Sequence, residues 1–412
     1  MPDKRGLLHR IQTIFFLLGL LWFSIGCDKD QINTDLFRLH VAVDLKPFHE
    51  NYWLMIHDLN GNLVGFERIV SGEDIVILAE EKPARINITF VELDRTGSKD
   101  FYNVETYLGI GIGEEWFLEN TFLPPERNGT LSGTGTVNIE NVPGNSRVYL
   151  TNKWGYFNGE YFEEETSVMY SNQLYEEAHD LFLCVQPSGG TPAYQIFYDV
   201  KDGDNFLTDV ADLEEFDHVL DFSFPPTKIV YASVEALSDE PFYERHRTHG
   251  FLTSIDWSEN SEVTFTNLQL GYLDQFSRYR TDIFVDRYRY TKVGDRPTEI
   301  NIPDHTISVQ DSSIQNFTII TTGPYVWRES FWTRQTNDAS VFWEVYGQEK
   351  DQLPFQFPDS FLEAHPLLSP DNLEYSGGVF HLQGQTFDEY VATQFKRSID
   401  NYPDYENWIA EY

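Results

Sequence analysis

The sequence predicts an all-β protein: tandem antiparallel β-sandwich modules of immunoglobulin-like (Ig-like) type, followed by a short C-terminal helix. Three observations predict it. Short apolar segments alternate with period two, as in "RINITFVEL" from Arg85, where Ile86, Ile88 and Phe90 fall on one face of a strand. Gly, Pro and Asn turn signals separate these segments at short intervals, the pattern of sandwiches and not of parallel βαβ units. The chain has 412 residues, beyond the size at which a single hydrophobic core stops growing, so several modules are expected.

The chain opens with Lys4, Arg5 and Arg10 ahead of an apolar run over residues 11–23. A basic then apolar leader of this length is a secretory signal, too short for a comfortable membrane span. The run ends in Ser24, Ile25, Gly26 and Cys27, followed by Asp28, Lys29 and Asp30. The first four residues resemble the lipobox of bacterial lipoproteins, and the next three resemble the acidic tag of surface-exported lipoproteins of the Bacteroidetes type. The resemblance implies that residues 1–27 are a lipoprotein signal peptide, that Cys27 carries the lipid, and that 28–36 form a tether. It implies an outer-membrane lipid anchor with the body facing outside.

Residues 37–125 read as the first sandwich module. Within it Asn60-Gly61 separates "YWLMIHDL" from "NLVGFERIV", the strongest short-range signal for a hairpin. The Pro pair of "FLPPERNGT" marks a boundary, and 126–226 read as an acidic module with strands at "TVNIENV", "SRVYLTN" and "AYQIFYDV". After "FPPTK", residues 227–385 hold one or two further modules, ending in a hairpin of "YVWRESFWTRQ" and "VFWEVYG" around "TNDAS". Residues 386–412 read as a helix and tail. Thr386 and Glu389 form a capping box, Phe387, Val391, Phe395 and Ile399 form one stripe, and Pro403 ends it.

Asp and Glu number 66 against 29 Lys and Arg, a net charge of -37. Such a surface repels phosphate backbones, so nucleic acid is excluded as a main partner, and cations, neutral glycans and basic proteins remain. Once Cys27 is acylated, Cys184 in "LFLCV" has no partner for a disulfide, and its apolar setting marks a buried inert thiol. The chain lacks HExxH, CxxC, GxxxxGK[ST] and GxSxG, and no catalytic residue is assigned.

Three groups of residues carry chemistry worth locating. Asp199, Asp202, Asp204, Asn205 and Asp209 surround Gly203 with hard oxygen donors of the kind Ca²⁺ takes, or form a solvated acidic loop. Arg278, Arg280, Arg287 and Arg289 form either a patch for an acidic ligand or partner, or ion pairs with Asp282 and Asp286. Trp327, Phe331 and Trp343 are either core or an exposed aromatic platform.

A lipidated leader ahead of β-sandwiches is similar in layout to the accessory glycan-binding lipoproteins of outer-membrane polysaccharide uptake systems. The layout implies a non-catalytic binding or accessory protein, with glycan as the first ligand class. A structural or adhesive partner of another envelope protein is one alternative. A lipid-anchored hydrolase using carboxylates is the other.

Overall fold

In the computed structural model the described residues are 34–45, 51–79, 83–95, 99–119, 130–152, 157–175, 180–187, 190–228, 230–242, 245–257, 264–348, 355–396 and 404–412, excepting the side chains of 157–158 and 238–257. Cys27, the leader and residues 28–33 of the expected tether lie outside them.

The all-β expectation holds. Strands run, in order, over Thr34–Val41 (β1), Tyr52–His57 (β2), Leu63–Arg68 (β3), Ile75–Ala79 (β4), Arg85–Asp94 (β5), Asp100–Gly111 (β6), Glu114–Leu118 (β7), Leu131–Val142 (β8) and Ser146–Thr151 (β9). Next come Phe157–Phe162 (β10), Thr166–Tyr175 (β11), Leu181–Pro187 (β12), Ala193–Phe197 (β13), Asn205–Asp209 (β14), Glu214–Glu215 (β15), His218–Thr227 (β16), Val230–Phe242 (β17) and Arg245–Trp257 (β18). The remainder are Phe265–Tyr272 (β19), Arg278–Val285 (β20), Tyr288–Gly294 (β21), Ile307–Asp311 (β22), Thr318–Thr321 (β23), Trp327–Gln335 (β24), Ala339–Gly347 (β25), Glu374–Gln383 (β26) and Tyr405–Glu411 (β27). Two short helices, Asp359–Ala364 (α1) and Phe387–Phe395 (α2), interrupt the late strands.

Local signals set the hairpins. Between β2 and β3, Gly61 takes φ 80 and the Asp58 carboxylate accepts from the Asn60 and Asn62 backbone N–H groups at 2.8 and 2.9 Å. Asp58 thereby closes the turn that Asn60-Gly61 announced. At the start of α2, Thr386 and Glu389 make the expected reciprocal cap, and Phe387, Val391 and Phe395 are buried. Ile399 and Pro403 lie outside the described residues.

Long-range pairing departs from the modular expectation. Twelve strands form one sheet in the order β18-β17-β20-β21-β27-β26-β24-β25-β6-β5-β2-β3. This sheet joins strands from 37–125 to strands from 227–385 through β25 and β6, which pair in parallel from Ala339↔Asp100 to Tyr346↔Tyr107. The segment expected as a tail supplies β27, inserted between β21 and β26. Of the two Pro pairs read as boundaries, Pro225-Pro226 lies inside β16, where the pairing with β19 is irregular between Ser223 and Thr227, and Pro124-Pro125 lies outside the described residues. Pro pairs carry no information on which distant edge a strand then satisfies.

The layers share cores. The three-stranded sheet β4-β1-β7 faces one end of the large sheet across Leu36, Phe37, Leu39 and Trp116 on one side and Leu54, Ile56, Ile88 and Phe90 on the other, with α2 completing the layer. Residues 131–215 supply a five-stranded sheet, β10-β9-β12-β13-β15, against the three-stranded β11-β8-β14, with Val137, Ile139, Val148, Leu150 and Leu183 between them. The other face of the five-stranded sheet sends Tyr149, Phe182 and Cys184 into the core of the large sheet. β12 is therefore buried on both faces, which explains the unbroken run "LFLCV". Burial pushes the Cys184 thiol up to about 12, so it is no nucleophile at neutral pH.

Candidate functional site: a carboxylate and aromatic face

The residues singled out in the sequence fall in separate places. Cys27 is outside the described residues. In the acidic loop, Asp202 accepts from the Thr134 N–H at 2.9 Å, Asp204 from the Lys201 N–H at 2.8 Å, and Asp209 from the Ala211 N–H at 2.9 Å. Asn205 bonds the Asn138 amide, while Asp199 takes φ 50 and donates its N–H to Asp180 at 3.0 Å. Asp204 and Asp209 thus cap local turns of their own backbone, while Asp202 and Asn205 tie the loop to β8. Among the described residues no group of three or more His, Cys, Asp or Glu is placed to hold a metal ion.

The arginines engage groups of their own chain. Arg278 meets Asp404 at 2.5 Å, Arg280 meets Asp282 at 2.5 Å, and Arg289 approaches Asp282 at 3.7 Å. Asp282 is buried and also accepts from the Thr291 hydroxyl at 2.7 Å, while the Arg287 guanidinium covers the Tyr412 ring at 4.4 Å. Asp286 stands at the β20–β21 turn with φ 56. Alternation on adjacent strands places Arg280, Asp282, Arg289 and Thr291 on one face, and their opposite charges meet there.

The exposed aromatic platform is corrected by the structure. Trp327 is 1% exposed and Trp343 is 0% exposed, and they belong to cores on opposite faces of the large sheet. A residue on β24 and one on β25 share a face only if the register pairs them so, and here Trp343 pairs with Trp332, not with Trp327. Phe331 alone of the three reaches a partly open surface, where its ring stacks with Phe342 at 5.8 Å.

That surface carries a group of residues the sequence reading missed. β6 and β25 run parallel with Glu105 beside Glu344 and Tyr107 beside Tyr346. Tyr107 donates to Glu105 at 2.9 Å, Tyr346 donates to Glu344 at 2.8 Å, and Asn103 donates to Glu105 at 3.2 Å. On β24, Glu329 faces His381 at 2.9 Å, and that imidazole stacks on Trp327. α2 covers one end of the face, packing Tyr390 on Trp327 and Tyr346 and Phe395 on Tyr107. Towards the other end Phe331 and Phe342 are half-buried, and Phe101 is 42% exposed.

Like charges in register across a strand pair oppose each other. Burial, followed by the nearby Glu105 and Glu329, pushes Glu344 up to about 7 despite the Tyr346 hydrogen bond. Burial likewise raises Glu105, against the Tyr107 and Asn103 hydrogen bonds. At neutral pH Glu344 therefore exists in both forms, and the face holds hydrogen-bond acceptors, a carboxyl donor and aromatic rings within one strip. The sequence contains a trace of it: Glu-x-Tyr occurs in "VETYLG" and "WEVYG", and i, i+2 spacing on a strand puts both side chains on one face.

No family model matches the chain, and no curated protein matches it. Among solved structures, the chain has a match to a Ca²⁺-stabilized adhesin that helps an Antarctic bacterium reach out and bind ice, with 8% identity, 80% of this chain and 85% of that one covered, and a TM-score of 0.11. A similarity of that size supports no argument about fold or function.

Proposed function

We propose that this chain is a lipid-anchored, surface-held, non-catalytic binding protein whose ligand is a neutral glycan. The observation that carries the ligand class is the Phe331–Phe342 pair beside Glu105 and Glu344 on the open part of the sheet. Carboxylates and the Asn103 amide match sugar hydroxyls, and aromatic rings match the C–H faces of a pyranose. The net charge of -37 opposes an anionic ligand. A glycan array probed with the intact chain is expected to give binding. Phe342→Ala is expected to weaken it about tenfold, the 1.4 kcal/mol scale of one aromatic contact. An array without binding, or a Phe342→Ala variant that binds as tightly as wild type while folded by circular dichroism, would overturn the glycan reading. Capture of an envelope protein with no glycan bound would put adhesion in its place.

A hydrolase is the second reading, and the raised Glu344 favours it, because a carboxyl pushed up to about 7 beside a second carboxyl, Glu105, is a general-acid arrangement. Turnover of a glycoside panel that Glu344→Gln abolishes would establish it over simple binding.

The anchor rests on the basic and apolar leader and on Gly26-Cys27 before Asp28. One acyl chain holds weakly, so a multiply acylated Cys27 is the stable form. Wild type should take up labelled fatty acid and fractionate with membranes, and Cys27→Ala should take up none. Label retained by Cys27→Ala would refute attachment at that residue.

A further inference from the structure

Residues 355–368 lie over the face of the large sheet opposite α2, with Phe355, Phe357, Phe361 and Leu368 buried against it. Two histidines contact this segment, which Gln356 also ties to the β2–β3 turn through its N–H to the Gly61 carbonyl at 3.0 Å. His57 ends β2, is 0% exposed, and meets the Gln356 carbonyl through Nε2 at 2.8 Å, so Nε2 carries the proton and donates. Its Nδ1 is buried without a hydrogen-bond partner, and its ring lies 5.5 Å from Phe355 and 6.3 Å from Phe357. At the other end His365, just after α1, meets the Tyr102 hydroxyl through Nδ1 at 3.1 Å and packs on Trp53 and Phe361 at 5.1 and 4.7 Å.

It is the burial of the two rings, and not these hydrogen bonds, that disfavours the charged form. A proton added to His57 Nδ1 puts a charge and an unmatched N–H among aromatic carbons, which costs more than an exposed imidazolium. At His365 the charge would be added to a ring packed between Trp53 and Phe361, while the Tyr102 hydroxyl pairs with either form of Nδ1. We propose that residues 355–368 form an acid-released strap over the aromatic face of Trp53, Phe66, Tyr102 and Trp343.

The charged neighbours do not reverse the sign. Burial lowers His57 below the ordinary imidazole value, against the upward pull of the Gln356 carbonyl and Asp58. Burial and then Arg95 lower His365, against Asp100. The opened segment therefore binds protons more readily than the closed one. Closure is fully favoured above the free imidazole value of about 6.5 and is lost as pH falls below it.

Hydrogen exchange of the full chain, corrected for intrinsic rate, tests this. Peptides within 355–368 should lose protection about tenfold or more between pH 7.5 and 5, with β17 and β20 unchanged, and binding of a fluorescent apolar dye should rise in parallel. His57→Gln with His365→Gln keeps hydrogen-bonding groups that do not titrate and should abolish the pH dependence. Protection that is unchanged with pH in wild type, or a double variant with the wild-type pH dependence, overturns the strap. The imidazole resonances of wild type give an independent readout should the double variant fail to fold. His57 titrating at or above 6.5 with the segment still protected would also overturn it.

Discussion

Replacing Trp343 with alanine is expected to remove about 3–5 kcal/mol of stability, the range for deleting a fully buried large aromatic side chain. Its ring is 0% exposed, it lies 5.4 Å from Phe357 and 6.0 Å from Phe355, and its indole N–H donates to the Thr106 hydroxyl at 2.9 Å. Removal leaves a cavity under residues 355–368 and costs Thr106 a donor, although Thr106 keeps Thr89 at 3.0 Å. Urea unfolding reads the effect as a fall in midpoint at unchanged slope. Phe342→Ala, on the half-buried side of the same strand, should cost far less stability and act on ligand binding instead. A Trp343→Ala midpoint equal to that of wild type would show that the ring is not core.

Gly384→Ala should cost about 2–4 kcal/mol, by backbone strain and by collision with β27. Gly384 takes φ 112, which L residues rarely adopt, and a Cβ there falls on the Asn407 side-chain oxygen and 2.6 Å from the Glu406 carbonyl. Asn407 is the acceptor for the Gln385 N–H at 2.9 Å, and the Gln385 carbonyl in turn accepts from Trp327 at 3.0 Å. One methyl group thus disturbs the edge of β27, the entry to α2 and the Trp327 core together. Gly113→Ala is the control, since Gly113 takes φ 75 with nothing within 4 Å of the added carbon. It should pay only the conformational cost, about 1–2 kcal/mol. Equal losses in the two variants would remove the collision from the account.

Features that depend on a few neighbouring residues were determined by the sequence alone. Period-two alternation gave the strand β5, Asn60-Gly61 gave the β2–β3 hairpin, and Thr386 with Glu389 gave the cap of α2. Each is settled within a turn or a few residues by backbone sterics and hydrogen bonding, so each is legible locally. The tertiary structure decided what depends on register between distant strands. Trp343 and Thr106, 237 residues apart in sequence, meet because β25 and β6 pair in parallel. The same pairing sets Glu105 beside Glu344, while the register of β24 on β25 sends Trp327 and Trp343 to opposite faces. A one-residue shift of register exchanges the two faces of a strand, and the shift is selected by burial over the whole sheet. Local periodicity therefore identifies a strand, and only the completed sheet tells which of its side chains are core and which form a site.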